Sequence, residues 1–237
     1  ALGLKLSVPE FKARKLGSRN DFKDKSLIFI SRKTKLFKQA KVYRSFEFKF
    51  EVGGRYLISG AVRSGRSMLA RLFSGEAVYG RRAWIIKSKR KRYFYNEFFD
   101  KYGNFYYLNP FFTSARSLLE TVLGKEKTAI SEEEFIRMSG LVNEHKILRD
   151  IFSVKEDWRL RADKFLVNSK NILLIQVIYC LINQPYLVVV DNFWLDREDL
   201  EINELLLLLE KLLPASIIIV CSDRNNKLFN YEQIYEI

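Results

Sequence analysis

Histidine occurs once in this chain, at His145, and cysteine twice, at Cys180 and Cys221. One histidine in a polar stretch and two cysteines far apart do not make a zinc site, which takes clustered Cys and His ligands at short spacings. Both cysteines sit in apolar segments, "VIYCLI" and "IIIVCSD". They are expected to be small core residues of a chain kept in a reducing compartment, not halves of a disulfide. Long apolar runs are lacking too. A bilayer needs about 18–20 uninterrupted apolar residues, and the longest candidates here, "ILLIQVIYCLI" and "LLLLLEKLL", are too short or carry a charge. They are expected to be buried helices of a globular protein. Lys5 and Lys12 interrupt the apolar residues at the start, a pattern unlike that of a signal peptide.

Acidic residues are in short supply: 28 Asp and Glu face 41 Lys and Arg, a net charge of +13. The excess is concentrated. About a dozen basic residues lie between Lys12 and Arg44, against Asp21 and Asp24 alone, and a second cluster is "RRAWIIKSKRKRYF", Arg81 to Phe94. Such patches suit an anionic partner, either phospholipid head groups beside a membrane subunit or, as the weaker expectation, nucleic acid. A plain solvated surface would read the same way.

What is present is an alternation of strand and helix signals. "SLIFISR" and "SFEFKFEV" alternate apolar and polar residues, with Phe46, Phe48 and Phe50 on one face. "RYLISG" is a third strand, "SMLARLF" a helix stopped by Gly75, and "RAWIIKS" and "NFYYLN" two further strands. From Pro110 to about Lys170 the pattern is helical, with one helix over "SARSLLETVLG", one continuous helix over "SEEEFIRMSGLVNEHKILRDIF" and a third over "KEDWRLRADKFLV". Then come the helix "ILLIQVIYCLI", a break at Asn183-Gln184-Pro185, the buried strand "YLVVVD", a helix closed by Pro214, and the buried strand "SIIIVCSD". The expected fold class is therefore α/β: a mostly parallel sheet, with an antiparallel N-terminal β part and an inserted helical subdomain, which the loop motif described next makes P-loop NTPase-like. The expected division is 1–109 for the β part and phosphate-loop core, 110–170 for the inserted helices, and 171–237 for the second part of the core.

One stretch carries chemistry. In "LISGAVRSGRSMLARLFSG" a strand leads to Gly60, four residues, Gly65, Arg66 and Ser67, then a helix. This is the G-x-x-x-x-G-K-[ST] spacing with arginine in place of lysine. Such a loop turns backbone N–H groups inward at the positive end of a helix, where phosphate binds, and the hydroxyl after the basic residue meets Mg²⁺. Arg66 keeps the charge but changes its shape, because a planar fork is bulkier than an ammonium. Asp191, ending an apolar strand, is the second half expected of such a site.

With these parts in this order, the chain resembles the nucleotide-binding subunit of ATP-binding cassette (ABC) transporters over nearly its whole length. "SFEFKFEVGGRYLISGAVRSGRSMLARLFSGE" resembles the family's strand, phosphate loop and first helix. "YLNPFFTSARSLLETVLG" is similar to its Q-loop, and "LVNSKNILLIQVIYCLINQPYLVVVDN" to its signature, helix and Walker B strand. The resemblance implies cofactor contacts at Gly60, Ser64, Gly65, Arg66, Ser67, Met68, Asn109 and Asp191, with Ser67 and Asp191 holding Mg²⁺ beside ATP. It also implies departures. The Q-loop glutamine falls on Asn109, the general-base glutamate on Asn192, and the switch histidine on Ser222. The signature falls on Val167-Asn168-Ser169-Lys170-Asn171, without glycine. Asp196 takes the D-loop position, and Phe11 stands where an adenine-stacking aromatic would be.

A neutral amide cannot take a proton from water near neutral pH, and loss of a general base costs on the order of 10²–10⁴ in rate. The catalytic positions Asn192 and Ser222 are therefore degenerate. The implied protein is a peripheral subunit on the cytoplasmic side of a membrane. It would bind ATP weakly, with impaired or absent hydrolysis, and work with a transmembrane transporter subunit as a homodimer or as a heterodimer with another nucleotide-binding subunit. An active ATPase that tolerates the substitutions, and a basic nucleic-acid-binding relative, are the alternatives.

Overall fold

A computed structural model describes residues 22–31, 46–61, 64–76, 84–88, 91–112, 114, 116–123, 131–151, 166, 168–195, 200–222 and 229–237. The basic stretch from Lys12 to Arg44 falls mostly outside these, as do Phe11, Val167, Asp196 and the helix expected over "KEDWRLRADKFLV".

Alternating patterns produce the first sheet. β1 (Ser26–Ser31), β2 (Glu47–Glu51), β4 (Trp84–Ser88) and β5 (Lys91–Phe94) form an antiparallel sheet in the order β2-β1-β4-β5. β2 buries every second residue, so Phe48 and Phe50 share the inner face, where Phe48 lies opposite Phe29 and Phe50 opposite Leu27. Phe46 stacks on Phe48 with ring centroids 5.9 Å apart.

Continuous apolar runs produce the second. β3 (Arg55–Ser59), β6 (Phe105–Leu108), β7 (Leu187–Asp191), β8 (Ile217–Ser222) and β9 (Gln233–Glu236) form a parallel sheet in the order β6-β7-β8-β3-β9. Every residue of β7 and β8 is buried, as a strand covered on both faces requires. One face packs against α1 (Arg66–Phe73), α2 (Tyr95–Lys101) and the antiparallel sheet. Phe73 of α1 meets Phe29, Phe48 and Phe50 edge-on at 4.9–5.2 Å, pinning the helix to that sheet. The opposite face packs against α6 (Ser169–Asn183) and α8 (Leu200–Leu212). Over these lie α3 (Leu118–Leu123), α4 (Glu132–Glu144) and α5 (Lys146–Ile151).

Several features differ from the sequence reading. The helix expected to run unbroken through "SEEEFIRMSGLVNEHKILRDIF" is two helices parted at His145, whose carbonyl accepts from Arg149 N–H at 3.0 Å to begin the second. The polar run Asn143-Glu144-His145 would otherwise have to continue a buried face, and the restart points Leu148 fully into the core. α2 forms inside an aromatic-rich stretch without clear periodicity, and β9 closes the edge beside β3. At the Asn183-Gln184-Pro185 break, Gln184 takes a left-handed φ of 46°, and its N–H donates to the Cys180 carbonyl at 2.8 Å. Cys180 and Cys221 are buried and unbonded, and burial pushes both thiols well above their ordinary range. Among the described residues no helix is long and apolar enough to cross a membrane.

Arg55 ties the start of β3 to the end of α8. Its guanidinium donates to the carbonyls of Gly53 (2.7 Å), Ser216 (2.9 Å), Glu210 (3.2 Å) and Leu213 (3.3 Å), and Nε lies 3.5 Å from the Glu210 carboxylate. The carboxylate is partly exposed and the carbonyls are mostly buried, so the carbonyl bonds dominate. Arg55→Ala is expected to cost about 2–4 kcal/mol in urea denaturation, whereas Glu210→Gln costs at most about 1 kcal/mol.

Candidate functional site

Strand register fixes the frame of the site. Ile58 of β3 pairs with Cys221 of β8, and Cys221 pairs with Asp191 of β7, so the three form one row across the sheet. Two strand spacings of ~4.8 Å separate Ile58 from Asp191, roughly 10 Å. One residue further along, Ser59 pairs with Ser222, and the chain then leaves β3 at Gly60. The loop after β3, the end of β8 and the carboxylate of β7 therefore meet at one edge of the sheet.

The loop is built by its glycines. A Cβ on Gly60 would lie 2.6 Å from Ser64 Oγ and 2.9 Å from the Ile237 carbonyl, so no larger residue fits without moving the loop or the end of the chain. Ser64 N–H donates to the Ala61 carbonyl at 3.0 Å, turning the chain, and Ser64 Oγ is enclosed with no hydrogen-bond partner among the described residues. Gly65 then takes φ +106°, a left-handed value that costs other residues about 1–2 kcal/mol, and starts α1 as its N-cap. That cap supplies no side-chain acceptor, and the first turn holds no acidic side chain. By helix geometry the first-turn N–H groups have no intrahelical acceptors, so a positive dipole end faces the loop.

Charge completes the arrangement. Arg66 is buried, Ser67 is exposed and Met68 half-buried. Cys221 lies between opposite charges: burial and the Asp191 carboxylate raise its thiol, while the Arg66 guanidinium pulls it down. Asp191 is itself buried, with both oxygens engaged. Oδ2 accepts the Tyr107 hydroxyl at 2.9 Å, and Oδ1 accepts the Phe193 N–H at 3.2 Å. Burial and the neighbouring Asp191 carboxylate push Tyr107 far above an ordinary phenol, so it stays protonated and donates. Tyr107 was not among the expected site residues. Only its place two residues before Asn109, on the strand beside β7, could have signalled it.

The remaining positions take structural partners. Asn109 follows β6, and its side-chain oxygen accepts the Phe111 N–H at 2.9 Å, closing a local turn. Its backbone is clamped by the fully buried Gln176 of α6, whose Oε1 accepts Asn109 N–H at 2.7 Å while Nε2 donates to Asn109 O at 3.0 Å. Gln176, too, went unnoticed in the sequence, where it reads as one polar residue in an apolar helix. Asn168, which the resemblance aligns with the signature, is the N-cap of α6, its side chain accepting Asn171 N–H at 2.8 Å. Asn192 opens α7 (Asn192–Leu195) directly after Asp191, and Ser222 is buried at the end of β8. A separate groove of about 490 Å³ lies between the α4–α5 junction and α8, lined by His145, Glu144, Glu204 and Lys211 among others, and shares no residue with the loop.

No family model matches the chain, and no curated protein matches it in sequence. Among solved structures it is similar to a bacterial Atm1-family ABC exporter with ATP bound, with a TM-score of 0.66 and 11% identity. The match covers 92% of this chain and 38% of the exporter chain. The likeness is one of fold.

Gly65→Ala places a Cβ on a left-handed backbone and is expected to lower stability by about 1–2 kcal/mol, read as a lower Tm. An unchanged Tm would show that the turn is not held as described.

Proposed function

We propose that the chain is a degenerate ABC-type nucleotide-binding subunit with a P-loop NTPase-like fold, acting at the cytoplasmic face of a membrane through a transmembrane partner. The observation that carries this reading is the single row Ile58, Cys221, Asp191. It brings a helix N-terminus without a side-chain cap and a buried carboxylate to the same end of the sheet, on strands separated by β8. The fold shared with the exporter supports the transport context, and the enclosed Ser64 hydroxyl and acid-free first turn suit a phosphate group.

In this reading ATP sits with its phosphates in the loop from Gly60 to Met68. The Arg66 fork pairs with phosphate oxygens, and the first-turn N–H groups bind alongside it. Hydrolysis is impaired or absent because Asn192 replaces the base, Ser222 replaces the switch imidazole, and Asn168 serves as a helix cap where the family has its signature. A second copy or a sister subunit completes the assembly, and the basic clusters face anionic lipid or the partner.

Titration with a fluorescent ATP analogue is expected to show saturable binding that Arg66→Ala weakens at least ~10-fold. Turnover should lie at least ~100-fold below that of an intact cassette ATPase assayed alongside. Isolation of the native complex should bring down a chain with several transmembrane helices. Robust turnover would overturn the degenerate reading, and salt-sensitive copurification with nucleic acid in place of a membrane chain would overturn the transport one.

A further inference from the structure

The residues at Asp191 do not suit the magnesium ion that the fold family implies. Mg²⁺ takes oxygen ligands at about 2.0–2.1 Å in a nearly octahedral shell that keeps several waters. Asp191 has little room to join such a shell: it is only 8% exposed, Tyr107 Oη lies 2.9 Å from Oδ2, and Phe193 N–H holds Oδ1. The hydroxyl is not free to swing aside. Tyr107 is buried, with Leu108 and Asn109 fastened directly after it. The Leu108 carbonyl accepts Trp194 Nε1–H at 2.8 Å, and Gln176 holds the Asn109 backbone from both sides.

A polyphosphate bound here therefore needs its charge met by another group, and Arg66 is the group in place. It is the first residue of α1, it carries a guanidinium fork, and its helix begins at the end of the sheet where Asp191 closes β7. Its fork can take two phosphate oxygens at once, which a lysine ammonium cannot match in geometry.

Building on the nucleotide-binding reading above, we propose that the site binds nucleoside polyphosphate as the metal-free anion, with Arg66 supplying the countercharge and the Tyr107 hydroxyl barring Mg²⁺ from Asp191. A buried hydrogen bond to a carboxylate is worth about 10- to 100-fold in an equilibrium, which sets the size of the barrier.

The test uses the whole chain and a fluorescent ATP analogue, titrated once with excess EDTA and once with millimolar Mg²⁺. The wild-type affinities are expected to agree within about threefold. In Tyr107→Phe, which keeps the ring and removes the hydroxyl, Mg²⁺ should tighten binding by about 10-fold or more. Wild-type binding that Mg²⁺ tightens by about 10-fold overturns the proposal while leaving the nucleotide reading intact. A folded Tyr107→Phe chain that ignores Mg²⁺ also overturns it, because the hydroxyl is then not the barrier. Absence of binding under both conditions overturns the nucleotide reading and this proposal together. Should Tyr107→Phe not fold, the wild-type comparison and the conservative Arg66→Lys variant decide. That variant is expected to lose about 10-fold in EDTA, and unchanged affinity there counts against Arg66 as the countercharge.

Discussion

Parallel strand register is the constraint on which the rest of this molecule depends. β3, β8 and β7 carry almost unbroken apolar sequence because both of their faces are covered, and so they pair over their full length without slipping. Once paired, Ile58, Cys221 and Asp191 must stand in a row. The loop that leaves β3 then has only one place to turn, over the ends of its neighbours and into α1. The aromatic cluster around Phe73 holds the far end of that helix, so α1 is anchored at both ends. Chemistry at the sheet edge is a by-product of core packing.

Within that frame the polar groups have settled into partnerships that favour rigidity. Asp191 has two hydrogen-bond donors, Asn109 closes its own turn, and Asn168 caps a helix. Each of these positions is expected to face a ligand in the resembled family. Buried groups seek partners because a lone one is costly. At all three positions, satisfaction within the chain is the arrangement seen here.

Much of this architecture was legible beforehand. The all-apolar runs "YLVVVD" and "SIIIVCSD" announce central parallel strands, and the alternation in "EFKFE" announces a one-faced sheet. Gly60 and Gly65 mark the loop because the steric demands on them are strict and local. The unseen parts depend on contacts between distant residues. α2 is aromatic on more than one side, so its period is masked, and its burial comes from Phe22 and Phe105 arriving from elsewhere. The break at His145 reflects how α5 is re-aimed toward the core, which no propensity records. Tyr107 and Gln176 matter through partners 84 and 67 residues away, and a single sequence gives no sign of such pairings.

The Gln176 amide has a mechanical consequence. By accepting from and donating to the same residue, it fastens the middle of α6 to the edge of the sheet as a rung fastens two rails. A one-residue slide of that helix would strip both bonds at once and leave the carboxamide only its donation to the Ile172 carbonyl of its own helix.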